Sequence, residues 1–200
     1  MYRALIARGI YLSQDRSDIG YSVKELSRKM SRPDTGDIEK FKHLARYLLG
    51  RERAVIHYDY QTSPTEWTVW VDSDWAGCRV TRKSTSGGIV MWGSHIIRSW
   101  STTQSVIAMS SGEAEYYSMV KGSSMGMGIK SVASDLGVTV SVINVKTDAS
   151  AAKGIASRKG LGKIRHIEVS QLWLQDRVSR GEIVVTKVKT EDNLADALTK

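Results

Sequence analysis

Between residues 67 and 101 the chain holds three runs rich in β-branched and aromatic residues, at 67–72, 88–92 and 96–101. Only Gly93-Ser94-His95 separates the last two. Such runs read as strands, and three in succession with short links predict an antiparallel meander. The pattern then alternates. Ser110 or Ser111 can cap a helix that starts near Glu113 and runs towards Leu136. A further strand is predicted at 142–146, helices at 149–155 and 164–180, and a last strand at 182–188. Residues 194–200 read as the start of a final helix that the end of the chain cuts short. A meander followed by strand–helix crossovers predicts an α/β mixed five-stranded sheet flanked by helices.

A different texture precedes the meander. Apolar residues recur at helical spacing at Tyr2, Leu5, Ile6 and Ile10, and again at Ile19, Val23, Leu26 and Met30. Ser31-Arg32-Pro33-Asp34 breaks the pattern, because the residue before proline is pushed out of the helical region. A third helix is predicted from about Asp37 to Gly50, with Ile38, Phe41, Leu44 and Leu48 along one side. Residues 54–58 read as a strand and Gln61-Thr62-Ser63-Pro64 as a turn. The chain thus divides into a small helical segment at 1–60 and a sheet domain at 61–200, and it opens inside structure, as a fragment does.

With 29 Lys and Arg against 21 Asp and Glu, the net charge is +8, which points to a polyanionic partner such as nucleic acid or to a generically basic surface. The single cysteine, Cys78, excludes an internal disulfide and any cysteine-rich zinc site, and it fits an intracellular compartment. No apolar run approaches the roughly 18 residues that span a bilayer, so no membrane partner is expected. Trp67, Trp70, Trp75, Trp92 and Trp100 read mainly as core residues.

Four acids stand at element ends: Asp72 closing the first core strand, Glu115 in the first turn of the long helix, Asp148 closing the fourth strand, and Asp196 opening the last helix. Singly, each reads as a solvated cap. Together they matter more, because neighbouring strands would bring Asp72 and Asp148 side by side. Close carboxylates repel unless a cation lies between them, and oxygen-only clusters suit magnesium or manganese.

The blocks around these acids carry a resemblance. Asp72-Ser73-Asp74-Trp75-Ala76-Gly77, Arg82-Lys83-Ser84-Thr85-Ser86-Gly87, Ser110-Ser111-Gly112-Glu113-Ala114-Glu115-Tyr116 and Leu194-Ala195-Asp196-Ala197-Leu198-Thr199-Lys200 stand in order along the chain. So do Arg16-Ser17-Asp18-Ile19-Gly20-Tyr21, Arg165-His166-Ile167 and Thr190-Glu191-Asp192. This series resembles the ribonuclease H region of copia-type retrotransposon polyproteins, over essentially the whole chain. The resemblance implies a ribonuclease H-like fold for 61–200, with 1–60 as the thumb or connection end of the upstream reverse transcriptase of the same polyprotein. It implies a metal-dependent endonuclease that hydrolyses the RNA strand of an RNA–DNA hybrid. Asp72, Glu115, Asp148 and Asp196 would hold two Mg2+ ions, which Mn2+ can replace, and the products would carry 5′-phosphate and 3′-hydroxyl ends. It also implies an intracellular setting, cytoplasmic, nuclear or within virus-like particles.

Glu115 precedes Tyr116 as the family's glutamate precedes an apolar residue. Glu113 is the alternative, and on a helix the two stand about 200° apart, so only one can face the site. Arg79, Arg82, Lys83, Ser84 and Thr85 are candidates for substrate phosphate contacts, or else form a solvated loop. The loop at 188–192 has no histidine where many ribonucleases H carry one; His166 is the candidate substitute, against a structural reading. Ala149 stands where the family commonly has Asn. That departure, together with Gly122, Gly126 and Gly128 inside the long helix, argues for an alternative: a decayed or connection-type module that binds nucleic acid without cutting it.

Overall fold

The computed structural model describes residues 1–140, 142–162 and 166–200. Its centre is a five-stranded sheet of β1 (Glu66–Ser73), β2 (Thr85–Trp92), β3 (His95–Thr103), β4 (Val142–Thr147) and β5 (Ile183–Lys187), in the order β3-β2-β1-β4-β5. The first three strands pair antiparallel as the predicted meander, and β4 and β5 add parallel to β1. Parallel pairing sends the carboxyl ends of β1 and β4 to the same sheet edge. Trp70 pairs with Lys146, so the same register continued by two residues sets Asp72 beside Asp148.

Three helices precede the sheet, α1 (Tyr2–Leu12), α2 (Gly20–Ser27) and α3 (Thr35–Gly50). With Ile19 of the 3-10 turn before α2, they bury Tyr2, Ile6, Val23, Leu26 and Leu44 in a cluster apart from the sheet's own core. A reciprocal capping box between Asp34 and Asp37 starts α3. On the other side α2 rests on β3, and its Lys24 Nζ donates to Thr85 Oγ1 at 2.8 Å.

The long helix α4 (Ser111–Asp135) runs unbroken over the sheet despite its glycines. Two of them are close-approach positions. A Cβ on Gly122 would sit 2.3 Å from Val71 Cγ1, and one on Gly126 2.9 Å from Val69 Cγ2. The helix can lie this near β1 only because those side chains are missing, so these glycines have a packing reason and lend no support to decay. Gly128 is different: it is exposed, and nothing stands within 4 Å of a Cβ there. Gly122→Ala is therefore expected to destabilise the domain by about 1–3 kcal/mol through overpacking. Gly128→Ala is expected to stabilise it by about 0.5–1 kcal/mol. Chemical denaturation of the two variants checks both signs.

Shorter helices complete the layer, α5 (Ser150–Ala156) and α6 (Trp173–Ser179). Three expectations are corrected. Residues 54–58 form no strand: the 51–64 segment is instead held by side chains, with Gln61 Nε2 donating to the Trp92 carbonyl at 2.8 Å and Tyr58 to the Ile96 carbonyl at 3.0 Å. The helix expected over 164–180 begins outside the described residues, and its described part is a one-turn 3-10 helix, Val169–Leu172, leading into α6. Residues 194–200 form a single 3-10 turn, Asp196–Leu198, because tertiary bonds hold the segment compact: Asn193 Nδ2 donates to the Val71 carbonyl at 3.0 Å and Ser101 Oγ to the Leu198 carbonyl at 2.6 Å. Among the described residues no helix is long and apolar enough to cross a membrane.

Candidate active site

At the carboxyl edge of β1 and β4 the sheet runs out into three carboxylates. Asp72 is the last residue but one of β1, Asp148 follows β4, and Glu115 comes down from the start of α4. That helix start is set by Ser110, whose hydroxyl accepts the Glu113 N–H at 3.2 Å. One ligand oxygen from each of Asp72, Glu115 and Asp148 lies within 4.8 Å of the others. Asp72 is buried and Glu115 nearly so. Glu115 Oε1 accepts the Ser73 N–H at 3.2 Å, whereas Oε2 is buried with no partner.

The electrostatics follow from that crowding. Burial, then the charges of Asp72 and Asp148, push the Glu115 carboxyl up to about 9, against the weaker pull of the Ser73 N–H and Lys200. Burial also raises Asp72; the Thr199 hydroxyl, which donates to Asp72 Oδ2, opposes it, and the charges of Asp148 and Asp196 add to it. A partnerless buried oxygen and two reluctant carboxylates are what a group looks like that expects a cation. Three hard oxygen donors suit a divalent ion such as magnesium or manganese.

The other site residues fall less close. Asp196 is not part of the three-carboxylate group; it ion-pairs with Lys200, and its charge reaches Asp72. Glu113 points elsewhere. It accepts from Tyr117 Oη at 2.8 Å and the Met109 N–H at 3.0 Å, so Glu115 is the glutamate of the group. His166 Nε2 lies 2.8 Å from Glu113 Oε2, which anchors the histidine to that structural carboxylate rather than to the three acids.

In the β1–β2 loop Arg79 and Arg82 are exposed and Lys83 is half-buried. Ser84 and Thr85 do not fit the expected phosphate contacts, because both are buried and used internally. Ser84 Oγ accepts the Ala76 N–H at 2.9 Å, and Thr85 gives its N–H to Asp74 and its hydroxyl oxygen to Lys24. Trp75 departs from the core expectation: it is 56% exposed, with its Nε1 donating to the Ala108 carbonyl at 3.1 Å. Thr199 and Ser73 belong to the site and lie inside the sequence blocks around Asp72 and Asp196, but only tertiary structure shows what they hold. Ala149 opens α5 without a side-chain cap. Ala149→Asn is expected to cap it and stabilise the domain by about 0.5–2 kcal/mol, read from denaturant midpoints.

No family model matches the chain. It is 32% identical over its whole length to the retrovirus-related Pol polyprotein from transposon RE1 of Arabidopsis thaliana, and equally to that from transposon RE2. It spans 14% of the length of each. Among solved structures it is similar to the N-terminal RNase H domain of a Mycobacterium tuberculosis protein, at 18% identity and a TM-score of 0.46, covering 68% of this chain and 91% of that one.

Proposed function

The chain belongs to the retrovirus-related Pol polyproteins of copia-type transposons, and from that premise we propose that it is the ribonuclease H segment, a metal-dependent endonuclease for the RNA strand of RNA–DNA hybrids. The observation that carries this reading is the convergence of Asp72, Glu115 and Asp148 at one sheet edge, with Glu115 Oε2 buried and partnerless. Residues 61–200 would form the nuclease domain and 1–60 the end of the preceding reverse transcriptase, its partner within the polyprotein. The setting would be the cell interior or a virus-like particle.

Asp72, Glu115 and Asp148 would hold Mg2+ or Mn2+, and Asp196, whose charge already bears on Asp72, would extend the set towards a second ion. When bound, the ions supply positive charge at the phosphoryl oxygens and make water a competent nucleophile at neutral pH. The chain's own residues hold the geometry. The Thr199 hydroxyl fixes one Asp72 oxygen, and the Ser73 N–H fixes one Glu115 oxygen, leaving the second to face a cation. Arg79, Arg82 and Lys83 present cations from the loop that follows Asp72, where phosphates of the hybrid would pass. The 2′-hydroxyl, exposed in the wide minor groove of the hybrid, would mark the strand to be cut.

The test is a cleavage assay with Mg2+ on a hybrid labelled on both strands, beside a duplex DNA of the same sequence. The RNA strand is expected to be cut and every DNA strand left intact. Binding without cleavage would contradict the enzyme reading and favour a non-catalytic module.

A further inference from the structure

We propose that Gln104 is a positioning residue for the three-carboxylate group, an inference that rests on reading Asp72, Glu115 and Asp148 as metal ligands. Gln104 follows β3 and is buried. Its Nε2 lies 2.8 Å from the Ala114 carbonyl, 3.0 Å from Ser86 Oγ and 3.2 Å from Ser73 Oγ. Ser73 spends its own hydroxyl proton on the Asp74 carbonyl at 3.1 Å, so its oxygen accepts, sharing with Ser86 Oγ the one Nε2 hydrogen that Ala114 leaves.

The amide orientation is fixed by chemistry. A carbonyl cannot donate, so the atom facing Ala114 must be the nitrogen, and Oε1 is turned into the protein. There it is buried without a partner. A leucine at this position would avoid that desolvation. Packing alone does not explain a glutamine here.

What the amide joins is informative. Ser73 directly follows Asp72, and its N–H holds Glu115 Oε1 at 3.2 Å; Ala114 directly precedes Glu115. One side chain therefore ties the neighbour of one ligand to the neighbour of another, across β1 and α4. Side chains that orient metal ligands without touching the ion typically change metal affinity by 10–100-fold when removed. Gln104 acts one step further out, bonding the chain neighbours of Asp72 and Glu115 rather than their carboxylates, so the lower end of that range is expected.

The experiment measures Mn2+ binding to the full chain by the electron paramagnetic resonance signal of free Mn2+, with melting curves in chelator alongside. Gln104→Leu is expected to weaken Mn2+ binding about 10-fold while melting in chelator no earlier than the wild type. Ser73→Ala, which cuts only one leg of the bridge, is expected to weaken it less. The double variant should bind as Gln104→Leu does, because both changes break one path. Wild-type affinity in Gln104→Leu overturns the proposal, as do losses that simply multiply in the double variant. Should Gln104→Leu fail to fold, unchanged affinity in Ser73→Ala overturns it. No Mn2+ binding by the wild type would overturn the metal site itself, and this inference with it.

Discussion

Asp72→Asn is expected to slow cleavage of the RNA strand by roughly three orders of magnitude while leaving the fold intact. The metal contributes several kcal/mol of charge stabilisation at the transition state, and about 1.4 kcal/mol corresponds to a factor of ten. Asparagine matches the shape of aspartate, and its Oδ1 can still accept from Thr199. It removes the negative charge that would attract the ion. Because burial already disfavours the ionised form of Asp72, the variant should melt no earlier than the wild type in chelator. Cleavage rates on the hybrid and melting curves in chelator check the two halves. Wild-type cleavage in Asp72→Asn would remove Asp72 from the site.

Without metal, the domain should lose stability as pH rises through neutrality, and Glu115 is the main cause. Its carboxyl stands at about 9 in the folded chain against an ordinary 4.5. Below the ordinary value both folded and unfolded chains keep the proton, and nothing is lost. Between the two values the unfolded chain releases the proton while the folded one retains it, so the folded state binds more protons and stability falls with pH. At pH 7 the deficit is roughly 3 kcal/mol, a large share of a typical domain's stability. Glu115→Gln should flatten the profile between about pH 5 and 9 in chelator. Saturating Mg2+ should flatten it in the wild type, because the ion replaces the missing proton. Denaturation midpoints across pH measure both, and a rising or level wild-type profile in chelator would contradict the assigned environment.

The convergence of Asp72 and Asp148 is legible in the sequence because a strand's end is a local feature and parallel pairing carries two such ends to one edge. Glu115 is legible through the resemblance, since helix geometry allows only one of Glu113 and Glu115 to face the site without saying which. The meander and α4 are legible because their periodicities are written in consecutive residues. Other features depend on contacts distant in sequence. Residues 54–58 have strand composition, but the segment is held beside the edge strand β3 by side-chain bonds such as Tyr58 to the Ile96 carbonyl, without ladder pairing. Gly122 and Gly126 look costly in an isolated helix, and only the nearness of Val71 and Val69 shows why they belong there. Ser84 and Thr85 look like phosphate contacts in a polar loop until Ala76, Asp74 and Lys24 are seen to occupy them. The hold of Thr199 on Asp72 spans 127 positions and has no local signal.

The most direct test of the central claim is anomalous diffraction from crystals grown with Mn2+. A manganese peak enclosed by the carboxylates of Asp72, Glu115 and Asp148 is expected, lost in crystals of Asp72→Asn. A peak lying elsewhere, or none at saturating Mn2+ with the three carboxylates in place, would contradict the claim.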